Sequence, residues 1–255
     1  MMKRILFATD LDNTLLFSHR HRQPGDRCAE LWNGAEQGFF TPETVDLLPQ
    51  AARQVRLLPI TTRSIAQYQR IRWPEGAVPQ EALTANGAVL LRDGAIDRDW
   101  YDQSWELVRA HQGALRDLLE RISAREDVTS ARIVENMYVY AACSDAAAAE
   151  RCAAAWAQDA PFQMEVSGRK VYWFPPGIDK GTALRRAAGR YRPERILCAG
   201  DSVIDVPMLR RADLAMIPDG TLLPALPAER TLVCQENVRF PDFVLRTVLA
   251  QAGPG

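Results

Sequence analysis

The sequence lacks an excess of either charge. Its 31 lysines and arginines stand against 32 aspartates and glutamates, for a formal net charge of −1. No broad field of one sign remains to gather nucleic acid or an anionic membrane. Histidine is scarce, with three residues. His19 and His21 sit among arginines in what reads as a solvated loop, and His111 falls in a helical stretch, so none is expected to hold a metal. The five cysteines, Cys28, Cys143, Cys152, Cys198 and Cys234, are dispersed and form no C-x-x-C. An odd, scattered set argues against a disulfide framework or a zinc site and for free thiols in a reducing compartment. Long apolar runs are missing too. The run before Asp10 is too short for a signal peptide or a membrane span. The chain is therefore expected to be cytoplasmic, with no nucleic-acid or membrane partner.

What is present is an ordinary globular composition, 47% apolar and 25% charged over 255 residues. That length suits a core domain with a smaller companion. Ile5 to Thr9 reads as a buried parallel strand. A polar stretch follows from Ser18 to Gly38, long enough to be a flap or a mobile loop. Thr41-Pro42-Glu43 opens a helix, with Thr41 as cap and proline at the first turn. A second strand is expected over Val55 to Ile60, a helix over Ser64 to Arg72, and a third strand over Ala82 to Ala85.

The character changes at about residue 87. Ala88 to Leu91 and Ala95 to Arg98 flank Arg92-Asp93-Gly94, a hairpin signal. Trp105 to Ile122 has the spacing of one long amphipathic helix. Arg132 to Ala142 reads as a strand and Asp145 to Asp159 as an alanine-rich helix. Two more strands are expected over Phe162 to Val166 and Lys170 to Phe174. The alternating pattern resumes at Pro176, with helices at Asp179 to Ala188, Val206 to Ala212 and Phe240 to Ala250, and strands at Arg195 to Ala199 and Leu214 to Ile217. Residues 1–86 and 176–255 thus read as one doubly wound α/β sheet, split by an α+β cap over 87–175.

Four polar clusters end strands or open helices: Asp10-Leu11-Asp12-Asn13-Thr14, Thr61-Thr62-Arg63, Lys180, and Gly200-Asp201 with Asp205. Ligands of open parallel sheets bind where strands end, so such clusters can converge. Asp10 and Asp12 are two apart and share a side of an extended chain. Two adjacent carboxylates stay ionised only with a cation between them, or one takes a proton. Magnesium suits hard oxygen ligands and leaves room for substrate oxygens. Asp10 would then be a nucleophile on phosphorus, and Asp12 an acid for the leaving oxygen and a base for water. Asp201 supplies a further carboxylate, while Thr61 and Lys180 would hold the non-bridging oxygens. The spacing of Asp205 from Asp201 places it with the site rather than as a helix cap. On the cap, Arg169 and Lys170 are the candidate anion contacts, whereas Tyr138, Tyr140, Tyr172 and Trp173 read first as sheet packing.

At these residues the chain resembles the haloacid dehalogenase-like hydrolase superfamily. DLDNTL at Asp10 to Leu15, PITTR at Pro59 to Arg63, IDKG at Ile178 to Gly181 and GDSVIDVPML at Gly200 to Leu209 carry the likeness. The cap position, with NGA at Asn86 to Ala88, is similar to the type IIB branch, which includes Cof-like, sucrose-phosphate and mannosyl-phosphoglycerate phosphatases. The resemblance implies Asp10 as nucleophile and Asp12 as acid/base. It implies a magnesium site from Asp10, Asp201 and the backbone carbonyl of Asp12, and phosphate contacts from Thr61, Thr62 and Lys180. Asp205, Ser202 and Asn86 would support them. It further implies hydrolysis of a small phosphomonoester, with a sugar or polyol phosphate favoured. The alternatives are a mutase or phosphotransferase with the same intermediate, or a non-catalytic binding protein of this fold. Two positions depart from the pattern: Ile204 stands where many type IIB members have asparagine, and Thr62 where glycine is common.

Overall fold

A computed structural model describes residues 5–156 and 161–253. Its centre is a five-stranded parallel sheet in the order 231–233, 214–217, 195–199, 5–9, 56–59. The first strand, Ile5–Thr9, lies between Arg195–Ala199 and Arg56–Pro59, so the two ends of the chain meet at mid-sheet. Side chains alternate across it. Phe7, Leu57 and Leu197 face one apolar layer with Leu48, Val244 and Leu245. Leu6, Ala8, Leu58 and Cys198 face another with Ala183, Leu184 and Ala187. Both faces are thus covered by helices, as a parallel sheet requires. The expected doubly wound α/β core with an α+β insert is what the chain forms. Among the described residues no helix is long and apolar enough to cross a membrane.

Local signals account for the helix starts. Thr41 accepts from the Thr44 amide at 2.8 Å and caps Pro42–Gln54. Ser64 and Gln67 close a capping box on Ile65–Gln69. Asp179 accepts from the Thr182 amide at 2.8 Å and caps Lys180–Tyr191.

The insert has two parts. Val89–Arg92 pairs with Glu81–Thr84 and turns through Asp93 and Gly94 to Ala95–Ile96, so this hairpin continues the core. The second part is an antiparallel sheet in the order 163–167, 170–174, 138–143, 128–134, backed by the helices Gln112–Ser123 and Ala146–Trp156.

Two expectations need correction, one open alternative is resolved, and one strand is additional. The long helix over Trp105 to Ile122 is two, Arg98–Val108 and Gln112–Ser123, joined by a short 3-10 turn. The first buries Trp100, Ser104 and Val108 towards the core, the second Leu115, Leu118 and Ile122 into the cap, and one straight rod could not serve both. The strand over Arg132 to Ala142 is a hairpin of Val128–Val134 and Tyr138–Cys143, reversed at Glu135 and Asn136 with φ of 49° and 65°. Ser18 to Gly38 is mainly an antiparallel flap, with Phe17–Ser18, Arg27–Trp32 and Ala35–Phe40 as its strands. Asn33-Gly34, with φ of 49° and 79°, was the hairpin signal overlooked there. The edge strand Thr231–Val233 was also not foreseen. The end of the alanine-rich helix expected over Asp145 to Asp159 lies outside the described residues from 157 onward.

Candidate active site

Asp10 follows the central strand, and its amide donates to the Ala199 carbonyl at 2.9 Å. That bond draws the loop after Ala199, with Asp201 and Asp205, alongside it. Leu11, Leu15 and Leu16 are buried beneath the turn, which anchors the polar residues between them at the cleft. Gly200 permits a close approach: a β-carbon there would lie 2.5 Å from that of Asp205.

Lys180 is 1% exposed, and its ammonium donates to Asp10 Oδ1 and Asp205 Oδ1, each at 2.5 Å. Asp205 Oδ2 accepts from the amides of Asp201 and Ser202, at 3.1 and 3.0 Å, and from the Ser202 hydroxyl at 3.0 Å. Both oxygens of Asp205 are therefore committed to positioning. Asn13 donates to Asp201 Oδ2 at 3.3 Å. Ligand atoms of Asp10, Asp201 and Asp205 lie within 4.8 Å of one another.

Three carboxylates against one ammonium leave negative charge uncompensated. Burial, then the neighbouring acids, push Asp201 up to about 7. Burial also raises Asp10 well above the usual carboxylate range, although Lys180 opposes it and Asp205 and Asp201 add to it. Lys180 itself is raised, because Asp10 and Asp205 outweigh its burial. Such a site favours a cation, and its oxygen-only donors match a hard divalent ion. Asp10 and Asp201 hold the carboxylate oxygens that Lys180 and the loop amides leave available.

Asp12 is placed differently from the reading that set it beside a metal with Asp10. Its carboxylate accepts from Arg63 Nε at 2.9 Å and Nη2 at 2.8 Å and is absent from the three-acid cluster. Partial burial in the cleft works against its ionisation, but Arg63 outweighs that and holds Asp12 down at about 2. Arg63 also donates to Glu30 at 2.8 Å and to the Gln67 carbonyl at 3.2 Å. Glu30 is 3% exposed and also binds Arg70 at 2.8 Å. The flap thus reaches Asp12 through a buried relay that the sequence reading missed. A glutamate two residues before a strand-ending tryptophan gives no local sign of it.

Thr61 is fully buried, its hydroxyl accepting from the Arg63 amide at 3.2 Å, while Thr62 lines the cleft. Asn86 is 1% exposed and donates to the Ile178 carbonyl at 3.3 Å, just ahead of Lys180. Its Oδ1 is buried without a partner. Lys170 and Tyr172 of the cap line the cleft, as do Ser202 and Ile204. Arg169 is not among the residues that line the cleft, and among the described residues its guanidinium reaches only the Ser144 carbonyl, at 3.5 Å.

No family model matches the chain, and no curated protein matches it by sequence. Solved structures do. The sucrose-phosphatase from Synechocystis, determined with sucrose and phosphate, is 18% identical over 98% of both chains, with a TM-score of 0.61. The C-terminal domain of trehalose-6-phosphate phosphatase from C. albicans is 15% identical, covering 99% of this chain and 93% of that one, with a TM-score of 0.60. A haloacid dehalogenase-like hydrolase from B. subtilis is 16% identical, covering 94% and 98%, with a TM-score of 0.57. The likeness is one of fold. The chain has the haloacid dehalogenase-like hydrolase fold, with an α+β cap between the second and third clusters.

Proposed function

We propose that this protein is a magnesium-dependent phosphatase that hydrolyses a small phosphomonoester through an aspartyl-phosphate on Asp10, with a sugar or polyol phosphate as substrate. The observation that carries the reading is the buried Lys180 spanning Asp10 and Asp205 with Asp201 beside them, all at the carboxyl end of the central strands. The sucrose- and trehalose-phosphate phosphatases of similar fold support the substrate class.

A divalent ion held by Asp10, Asp201 and the Asp12 carbonyl would offset the charge of the phosphoryl oxygens and of the acids themselves. The chain's own residues supply the rest. An Asp10 oxygen attacks phosphorus as the bond to the leaving oxygen breaks. Asp12 gives that oxygen a proton. This requires the Arg63 pair to open, because within it Asp12 is held ionised. Asp12, now a carboxylate, takes a proton from water as the water attacks phosphorus, and the bond to Asp10 breaks to release inorganic phosphate. Lys180 and Thr62 bind the non-bridging oxygens, while buried Thr61 shapes the turn. Asp205 and Ser202 hold Lys180 and the Asp201 loop in place. The insert over about residues 87–175 carries the cap sheet, which covers the cleft and excludes water.

The test is hydrolysis of an aryl phosphate with added magnesium, using Asp10→Asn as control. Turnover that needs the ion and disappears in the variant supports the reading. No turnover across a broad phosphomonoester panel, with or without magnesium, overturns it.

A further inference from the structure

A chamber of about 560 Å³ opens beside the catalytic cleft, between the flap, the helix after Thr62 and the cap sheet. Asp12, Thr62, Lys170 and Tyr172 line both spaces, so the chamber is contiguous with the cleft and lies on the acid/base side. Its volume is that of a small-metabolite site, whereas the cleft itself holds about 60 Å³.

The cap sheet builds the chamber's roof by alternation. Arg132, Tyr140 and Tyr172 stand in register on neighbouring strands, with Val134, Tyr138 and Phe174 forming the next row on the same face. The opposite face carries Val139, Ala141, Val171 and Trp173 into the cap's own core. Where it lines the chamber the inward face is therefore aromatic and cationic, although cap packing needs only the outward one; Glu165, which continues the row opposite Tyr172, is not part of that lining. Tyr140 and Tyr172 have ring centroids 5.4 Å apart.

The charges of this chamber do not balance. It is lined by four cations, Arg63, Arg70, Arg132 and Lys170, and two acids, Asp12 and Glu30. Arg63 and Arg70 are consumed by those two acids. Among the described residues Arg132 has only a 3.4 Å hydrogen bond to the Gln67 amide oxygen, and its guanidinium lies 4.7 Å over the Tyr140 ring. Stacking fixes the plane of the guanidinium and leaves donor edges open to the chamber. Among the described residues neither Arg132 nor Lys170 has a carboxylate in ion-pair range. Arg132 lines the chamber and not the cleft, so its charge is not directed at the transferring phosphoryl group.

We propose that the leaving group carries a second acidic group, a carboxylate or a phosphate, held in this chamber by Arg132 and Lys170 against the Tyr140 and Tyr172 rings. This rests on the phosphatase reading and narrows its substrate to an acidic or doubly phosphorylated metabolite. A carboxylate or a phosphate accepts two bonds from a guanidinium edge, which a neutral hydroxyl does not reproduce. Arg132 is thus a specificity-determining residue.

The test is calorimetric binding with magnesium to the Asp10→Asn protein, so that turnover does not intervene. Two matched pairs serve as probes: phosphoglycerate against glycerol phosphate, and fructose bisphosphate against fructose monophosphate. The first pair reports a carboxylate and the second a phosphate. The acidic member of at least one pair should bind about tenfold to a hundredfold more tightly. Adding Arg132→Gln should remove most of that preference, and Arg132→Lys should restore part of it. Equal affinities within both pairs overturn the proposal, as does a preference that survives Arg132→Gln combined with Lys170→Gln. A preference in a protein that hydrolyses no phosphomonoester would sink the phosphatase reading and leave the chamber's assignment standing. Aryl phosphate turnover without any preference would do the reverse.

Discussion

Replacing Gly87 by alanine should damage both stability and catalysis, by amounts that follow from one backbone angle and one distance. Gly87 has φ of +89°, and a β-carbon there would lie 2.2 Å from that of Ala183. The backbone term for an L-residue is about 1–2 kcal/mol. Overpacking adds about 1–3 kcal/mol. Together they predict a loss of about 2–5 kcal/mol, which lowers Tm by roughly 5–20 °C in a chain of this size. Ala183 lies on the helix that Lys180 begins, one turn further on. Relieving the clash by moving that helix would displace Lys180 from Asp10, and an error of about 1 Å at such a site costs on the order of a hundredfold in rate. Thermal and urea unfolding of Gly87→Ala, Ala183→Gly and the double variant form a cycle. Only the packing part should be coupled, so the interaction energy should be about 1–3 kcal/mol. A loss below about 1 kcal/mol in Gly87→Ala, or strict additivity in the cycle, would refute the reasoning.

Lys180→Met should lower kcat by about a hundredfold to a thousandfold, read with an aryl phosphate, because the buried charge beside the phosphoryl oxygens is lost. Glu30→Ala should cost about 3–5 kcal/mol in urea unfolding, since it leaves Arg63 and Arg70 without their shared buried partner. Magnesium should raise Tm more at about pH 8 than at about pH 5.5, measured by scanning calorimetry. The sign follows from the raised pKa values of Asp10 and Asp201. In the ion-free fold these carboxyls bind more protons than in the unfolded chain, so stability falls as pH rises from their unfolded values towards about 7. The ion competes with those protons, and its stabilisation grows over the same interval.

The core was legible because each of its signals is local. An apolar run that ends in Asp10 needs no knowledge of its neighbours to read as a strand, and Thr41-Pro42 or Asp179 mark helix starts by chemistry alone. The Asp10, Lys180 and Asp201 constellation followed from the rule that parallel strands end at one edge of a sheet. What stayed hidden depends on distant partners. Nothing near Glu30 shows that it meets Arg63, 33 residues on, or that Arg63 turns the Asp12 carboxylate away from Asp10. The cap was harder for the same reason. Tyr140 and Tyr172 read as packing until strand register placed them beside Arg132 on the inward face, and Glu135-Asn136 reversed a segment whose alternation looked continuous. Arg169 and Lys170 are adjacent cations in sequence, but Arg169 belongs to the turn before Lys170–Phe174 and reaches the Ser144 carbonyl, and of the two Lys170 lines the cleft.

A crystal structure grown with magnesium and beryllium trifluoride tests most directly whether Asp10 is the nucleophile. The fluoride complex should be bonded to an Asp10 oxygen within reach of Lys180, with the ion between Asp10 and Asp201. An ion bound elsewhere and an Asp10 that remains bare at saturating reagent would contradict the assignment.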